Sequence, residues 1–212
     1  MMKISALLFD LDGTLTLPGA LDFPAIKKTM GCPVEEPVLE FIQKRPASEK
    51  GVLFEILERE EKAAAESSIP NRGAEECLLY LKSRGYPFGI ITRNSIRSVR
   101  LSLRSFKNIR VNDFSAVITR DESPPKPDPG GVMRAARQME VEPERMLLVG
   151  DFRFDIIAGK SAGSATALLT NGDDPVVQEG DPEPDYVIKE LCEIIELLEG
   201  DLSRGSARER AL

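Results

Sequence analysis

The 212-residue sequence predicts an α/β fold in which a parallel sheet is covered by helices on both faces. Short runs of Ile, Leu and Val at 4–9, 88–91, 116–118, 146–149 and 165–169 are nearly uninterrupted, as strands buried on both faces are. Segments of helical period lie between them, and strands that alternate with helices join by right-handed crossovers into a parallel sheet. A hydrophobic fraction of 42% is ordinary for a protein with a proper core.

In chain order, the first run, 4–9, opens directly into Asp10-Leu11-Asp12-Gly13-Thr14. Residues 17–69 then break the rhythm with no convincing strand and two or three helices, over 23–30, 37–44 and 48–66. The last has apolar Val52, Leu53, Ile56 and Leu57 followed by mixed charges, 58–62, that suit a solvated face. This is a helical insertion after the first strand, leaving 1–16 and 70–200 as the core. Gly85 after Arg84 reads as a helix stop. Ile96, Val99, Leu103 and Phe106 repeat at helical spacing, with Arg97, Arg100 and Arg104 on the opposite, solvated side. Residues 201–212 are charged and rich in small residues, and are expected to form a flexible tail.

Composition removes several functions. A net charge of −7 argues against broad binding to nucleic acid or anionic membrane, since no basic surplus replaces phosphate counterions. The apolar start is cut short by Asp10 and Asp12, so neither a signal peptide nor a membrane span is expected, and a cytoplasmic location follows. Cys32, Cys77 and Cys192 form no CxxC pair and read as small apolar residues of a reduced compartment. With no histidine at all, Ser-His-Asp and Cys-His catalysis are excluded, and chemistry must run on carboxylates, lysine, hydroxyls and backbone.

Ligands of open parallel sheets bind beyond the carboxyl ends of the strands. Four strand ends deliver Asp10, Thr92, Lys126 and Asp151. Asp10 and Asp12, two residues apart where the strand opens into Gly13, can approach one site from different directions. One can attack phosphorus as a nucleophile while the other handles protons. Asp151 closes a strand and Asp155 follows in the first helical turn on the same face. Together with Asp10 they crowd negative charge that calls for a cation, and all-oxygen ligation near a phosphate suits Mg²⁺. Prolines on both sides of Lys126 aim its ammonium, which can neutralise a phosphoryl group. Thr92, with free N–H groups at a helix start, makes a phosphate cradle that Arg93 can extend. Asn94 or Ser95 caps that helix.

These stations, Asp10-Leu-Asp12-Gly-Thr, Thr92, Lys126 and Gly150-Asp151-x-x-x-Asp155, together resemble the haloacid dehalogenase superfamily over roughly 4–198. Within it the chain is similar to the phosphoglycolate phosphatase-like phosphatases. The resemblance implies a Rossmann-like three-layer α/β/α core with a small helical cap at 17–69. It further implies Asp10 as nucleophile and metal ligand and Asp12 as acid/base with its carbonyl on Mg²⁺. Thr92 and Lys126 would bind phosphate, Asp151 the metal, and Asp155 the metal or Lys126. Two departures bear on substrate choice: Arg93 stands where many relatives follow the threonine with asparagine, and the cap is short. The expected partner is a small phosphorylated metabolite, bound by a monomer or homodimer. A phosphomutase would keep every one of these residues and differ in how the cap holds a sugar phosphate. A receiver-like signalling domain shares the acids, hydroxyl and lysine but has no inserted cap, and a non-catalytic binding module is opposed by the intact acid pair.

Overall fold

The computed structural model of the chain describes residues 4–174 and 178–200; the tail expected at 201–212 lies outside them. Its centre is a six-stranded, wholly parallel sheet of β1 (Ala6–Phe9), β2 (Phe88–Ile91), β3 (Ala116–Ile118), β4 (Met146–Gly150), β5 (Ala165–Leu169) and β6 (Tyr186–Ile188), in the order β3-β2-β1-β4-β5-β6. β1, β2 and β4 are buried along their whole length, which is why their sequences are apolar without alternation.

The α/β class and the five expected strands are all present, and β6 is an addition. It is a three-residue edge strand that pairs only with β5. Its three residues, Tyr186-Val187-Ile188, stand between Asp185 and Lys189, and so short an apolar run gives almost no periodic signal.

Helices cover both faces. Leu7, Phe9, Ile90, Leu147 and Val149 pack on one side against α4 (Ala74–Arg84), α5 (Ile96–Ser102) and α8 (Glu193–Glu199). Ala6, Leu8, Ile91, Ile118 and Leu148 pack on the other against α6 (Gly130–Met139) and α7 (Arg153–Ala162). Successive residues of β1 thus serve opposite cores, as the pleat requires. Gly85 ends α4 in the left-handed region at φ 72°, its N–H donating to the carbonyls of Leu81 and Lys82. Arg97, Arg100 and Arg104 are exposed. Cys32 and Cys77 are buried and Cys192 partly so, all with free thiols.

Between β1 and α4 lie α1 (Phe23–Met30), α2 (Val38–Gln43) and α3 (Ala47–Glu66). They enclose an apolar cluster of their own, including Ile26, Leu39, Phe41, Ile42 and Leu57. Val52 is 60% exposed, so the apolar face of α3 begins at Leu53 rather than one residue earlier. The chain enters and leaves this unit side by side: Leu17 N–H donates to the carbonyl of Ile69 at 2.9 Å, and Thr16 bridges to Pro70. Among the described residues no helix is long and apolar enough to cross a membrane.

Candidate active site

The sheet reverses its winding at β1, whose neighbours β2 and β4 lie on opposite sides of it. Such a switch point opens a crevice beyond the strands' carboxyl ends. Asp10 and Thr92 extend the ladder one residue past the strands, Asp10 N–H donating to the Val149 carbonyl and Thr92 N–H to that of Ile118, each at 2.9 Å. Both side chains are therefore launched from fixed backbone.

Lys126 comes from the loop after β3 and is 3% exposed. Its Nζ lies 2.7 Å from Asp10 Oδ1 and 2.6 Å from Asp155 Oδ1. Burial alone would lower its pKa, but the two carboxylates outweigh that and hold it above the ordinary lysine value, so the ammonium stays charged. Asp155 is 1% exposed, and its Oδ2 accepts from Phe152 N–H at 3.2 Å. It belongs to the first turn of α7, where a carboxylate meets the free N–H groups of the helix start.

The carboxylates of Asp10, Asp151 and Asp155 converge within 4.8 Å. Burial, with Asp10 and Asp155 close by, pushes Asp151 up to about 8, and burial together with Asp10 raises Asp155 to about 6 in spite of Lys126. Three acids sharing one lysine are short of positive charge. An all-oxygen donor set in that condition fits a hard divalent cation such as Mg²⁺.

The turn after Asp10 is tightly held. Gly13 adopts φ 78°, and a Cβ built there would lie 2.1 Å from Asp151 Oδ2, so only glycine admits the Asp151 carboxylate. The Gly13 carbonyl accepts from Asn171 Nδ2 at 2.9 Å and Asn71 Nδ2 at 3.3 Å, and Thr14 Oγ1 donates to Asp151 Oδ1 at 3.3 Å. Asp12 is drawn to the other side, its Oδ2 accepting from Asn94 Nδ2 at 2.6 Å. Burial, then Asp10 and Glu61, push Asp12 up to about 7 against Lys126 and Asn94.

Thr92 is 4% exposed and its Oγ1 accepts from Asn94 N–H at 3.1 Å. Ser95 caps α5 by accepting from Ser98 N–H. Arg93 turns away from the acids to Glu40 of α2, with Nη2 2.6 Å from Oε2 and Nη1 3.0 Å from Oε1. It also donates to the Lys126 carbonyl and lies over the Phe154 ring. Sequence reasoning did not foresee this pair, nor the one between Arg120 and the 2% exposed Glu61 of α3. Asn71, Asn171, Thr14 and the Asp12 contact of Asn94 were also missed, since asparagine and threonine in turns carry no distinctive spacing. Asn94's place beside Thr92 and Arg93 was the one available signal.

A parallel sheet whose strand ends gather two acid pairs, a buried lysine and a hydroxyl is the arrangement of a hydrolase. Residues 18–169 match the haloacid dehalogenase-like hydrolase model, and the chain belongs to that family. It is 32% identical to an uncharacterized hydrolase of Saccharomyces cerevisiae, over 92% of this chain and 91% of the relative. It is 30% identical to the N-acetylmuramic acid 6-phosphate phosphatase of Pseudomonas aeruginosa, over 81% and 84%. Its fold is shared with the crystal structure of a predicted phosphoglycolate phosphatase from Haemophilus somnus, at TM-score 0.71 and 22% identity over 93% of this chain and 99% of that one.

Proposed function

We propose that the chain is a magnesium-dependent phosphatase that hydrolyses a small phosphate monoester through an aspartyl-phosphate intermediate on Asp10. The observation that carries this reading is Asp10 held 2.7 Å from the buried Lys126 ammonium while its carboxylate converges with those of Asp151 and Asp155. The relatives named as phosphatases support it.

In this reading Asp10 attacks phosphorus and Lys126, with Thr92, neutralises the phosphoryl oxygens. Asp12 gives its proton to the leaving ester oxygen, then takes one from the water that cleaves the aspartyl phosphate. Asn94 keeps Asp12 apart from the metal-side acids, and Asp155 aims Lys126. Asp10, Asp151 and the Asp12 carbonyl would hold Mg²⁺, with Asp155 behind them. When bound, the ion supplies the positive charge that lets an anionic nucleophile approach an anionic phosphate. Residues 17–69 serve as a cap over the crevice, excluding water and selecting the leaving group.

Phosphate release from phenyl phosphate with Mg²⁺ tests the reading. EDTA and Asp10→Asn should each abolish it, and undiminished activity of the Asp10→Asn variant sinks the mechanism.

A further inference from the structure

The charge around the crevice carries information about the substrate beyond the phosphate. The loops that frame it are 10–22 after β1, 92–95 after β2, 119–129 after β3, 151–152 after β4 with the start of α7, and 170–174 after β5. Residues 10–22 and 170–174 contain no Lys or Arg, and 170–174 contain Asp173 and Asp174.

The remaining loops carry four cations, and each is held by a carboxylate. Lys126 serves Asp10 and Asp155. Arg153 Nε donates to Asp181 Oδ2 at 2.7 Å. Arg120 is bound to Glu61 and lies 3.9 Å from Glu58. Arg93 is gripped through both guanidinium nitrogens by Glu40. The side chain that follows Asp151 is the 40% exposed Phe152, which is apolar. Once the phosphoryl group is received by Lys126, no described cation of these strand-end loops is left to receive a second anionic group, and their acids repel one.

We propose that Glu40, by holding Arg93, makes this a site for phosphate monoesters whose leaving group is uncharged, and that esters carrying a second anion are rejected. The proposal rests on the phosphatase reading above. Glu40 is a positioning residue here, because it acts through Arg93. Two rim cations take their acid partners from the inserted helices, and Arg93 is the one that solvent reaches, 22% exposed against 7% for Arg120. It also follows Thr92 directly, so it is the cation closest in sequence to the phosphate cradle. Discrimination by an unmatched charge needs no contact made to the favoured substrate.

The test compares two esters of nearly equal size, 2-hydroxyethyl phosphate and phosphoglycolate, which differ by a hydroxymethyl in place of a carboxylate. The expected kcat/KM ratio is about tenfold or more in favour of the neutral ester, the order of one like-charge contact near a protein surface. That ratio should fall as salt screens the rim, and should fall toward one in Glu40→Gln, where Arg93 is released to meet the carboxylate. A wild-type preference for phosphoglycolate overturns the proposal, and a ratio unmoved by Glu40→Gln overturns the role of Glu40. Phenyl phosphate separates this from the parent reading. If it is hydrolysed and the ratio is wrong, only this inference falls; if no ester is hydrolysed, the phosphatase reading falls and takes the inference with it.

Discussion

Replacing Arg120 with methionine strands a carboxylate in the interior. Glu61 is 2% exposed, and its other charged neighbours, Glu58 and Asp12, have the same sign. The guanidinium that Glu61 loses is 7% exposed and also donates to the Arg93 carbonyl at 3.2 Å. Removing one member of a buried pair costs about 3–5 kcal/mol while the survivor stays charged. Glu61 can escape by taking a proton: burial already raises its pKa above 4.5, and Arg120 is the first of the influences that hold it down. A carboxyl whose folded pKa lies above its unfolded one binds more protons when folded, so stability falls as pH rises through that window. The loss in Arg120→Met should therefore be near its full size at about pH 8 and much smaller at about pH 5. Urea midpoints at the two pH values measure it. Arg120→Met combined with Glu61→Leu should recover most of the loss. A loss that ignores pH, or a double variant as weak as the single one, refutes the reasoning.

Other changes have equally direct readouts. Gly13→Ala drives a Cβ to 2.1 Å from Asp151 Oδ2; activation by Mg²⁺ should weaken by about 10–100-fold, as for lost supports of metal ligands, with the far-ultraviolet dichroism unchanged. Asn94→Ala releases Asp12 from its 2.6 Å contact; steady-state kinetics should show kcat lower by about 10²-fold with little change in KM, and an unchanged kcat removes Asn94 from the account. Cys77 is 1% exposed and burial pushes its thiol up to about 12; iodoacetamide at neutral pH should leave it unmodified in the folded chain and alkylate it in urea, as read by mass spectrometry.

Most of the sheet was legible because its central strands are buried on both faces, and a short continuous apolar run such as Met146 to Val149, bounded by charged residues and glycine, fits a buried strand and little else. The residues at the strand ends were legible for a related reason: a strand's end fixes where the next side chain goes, so Asp10, Thr92 and Asp151 could be placed without knowing any contact. β6 escaped because three residues between charged flanks give no period. Arg93 shows the deeper limit. Its position beside Thr92 suggested an anion contact, yet its partner, Glu40, is 53 residues away in sequence and reaches it from an inserted helix. Long-range pairs of this kind leave no local trace, and neither does the use of Asn71 and Asn171, 100 residues apart, to clamp one carbonyl.

The convergence of Asp10, Asp151 and Asp155 also bears on how the molecule holds together. Thr14 and Asp151, which meet across the turn, are separated by 137 residues, so in the unfolded chain Asp10 is far from the neighbouring pair Asp151 and Asp155. Folding brings Asp10 within 4.8 Å of the other two, and the Lys126 ammonium between Asp10 and Asp155 opposes their repulsion together with the apolar core around β1 and β4. The acidic end of the sheet is thus under a compression that Lys126 and the core hold in check. A divalent cation bound only by the folded chain would relax that compression and stabilise the whole sheet by mass action. By the same linkage, the bound ion would offset part of the stability lost when a methyl group is removed from Val149 or Leu147, residues that hold no ion themselves.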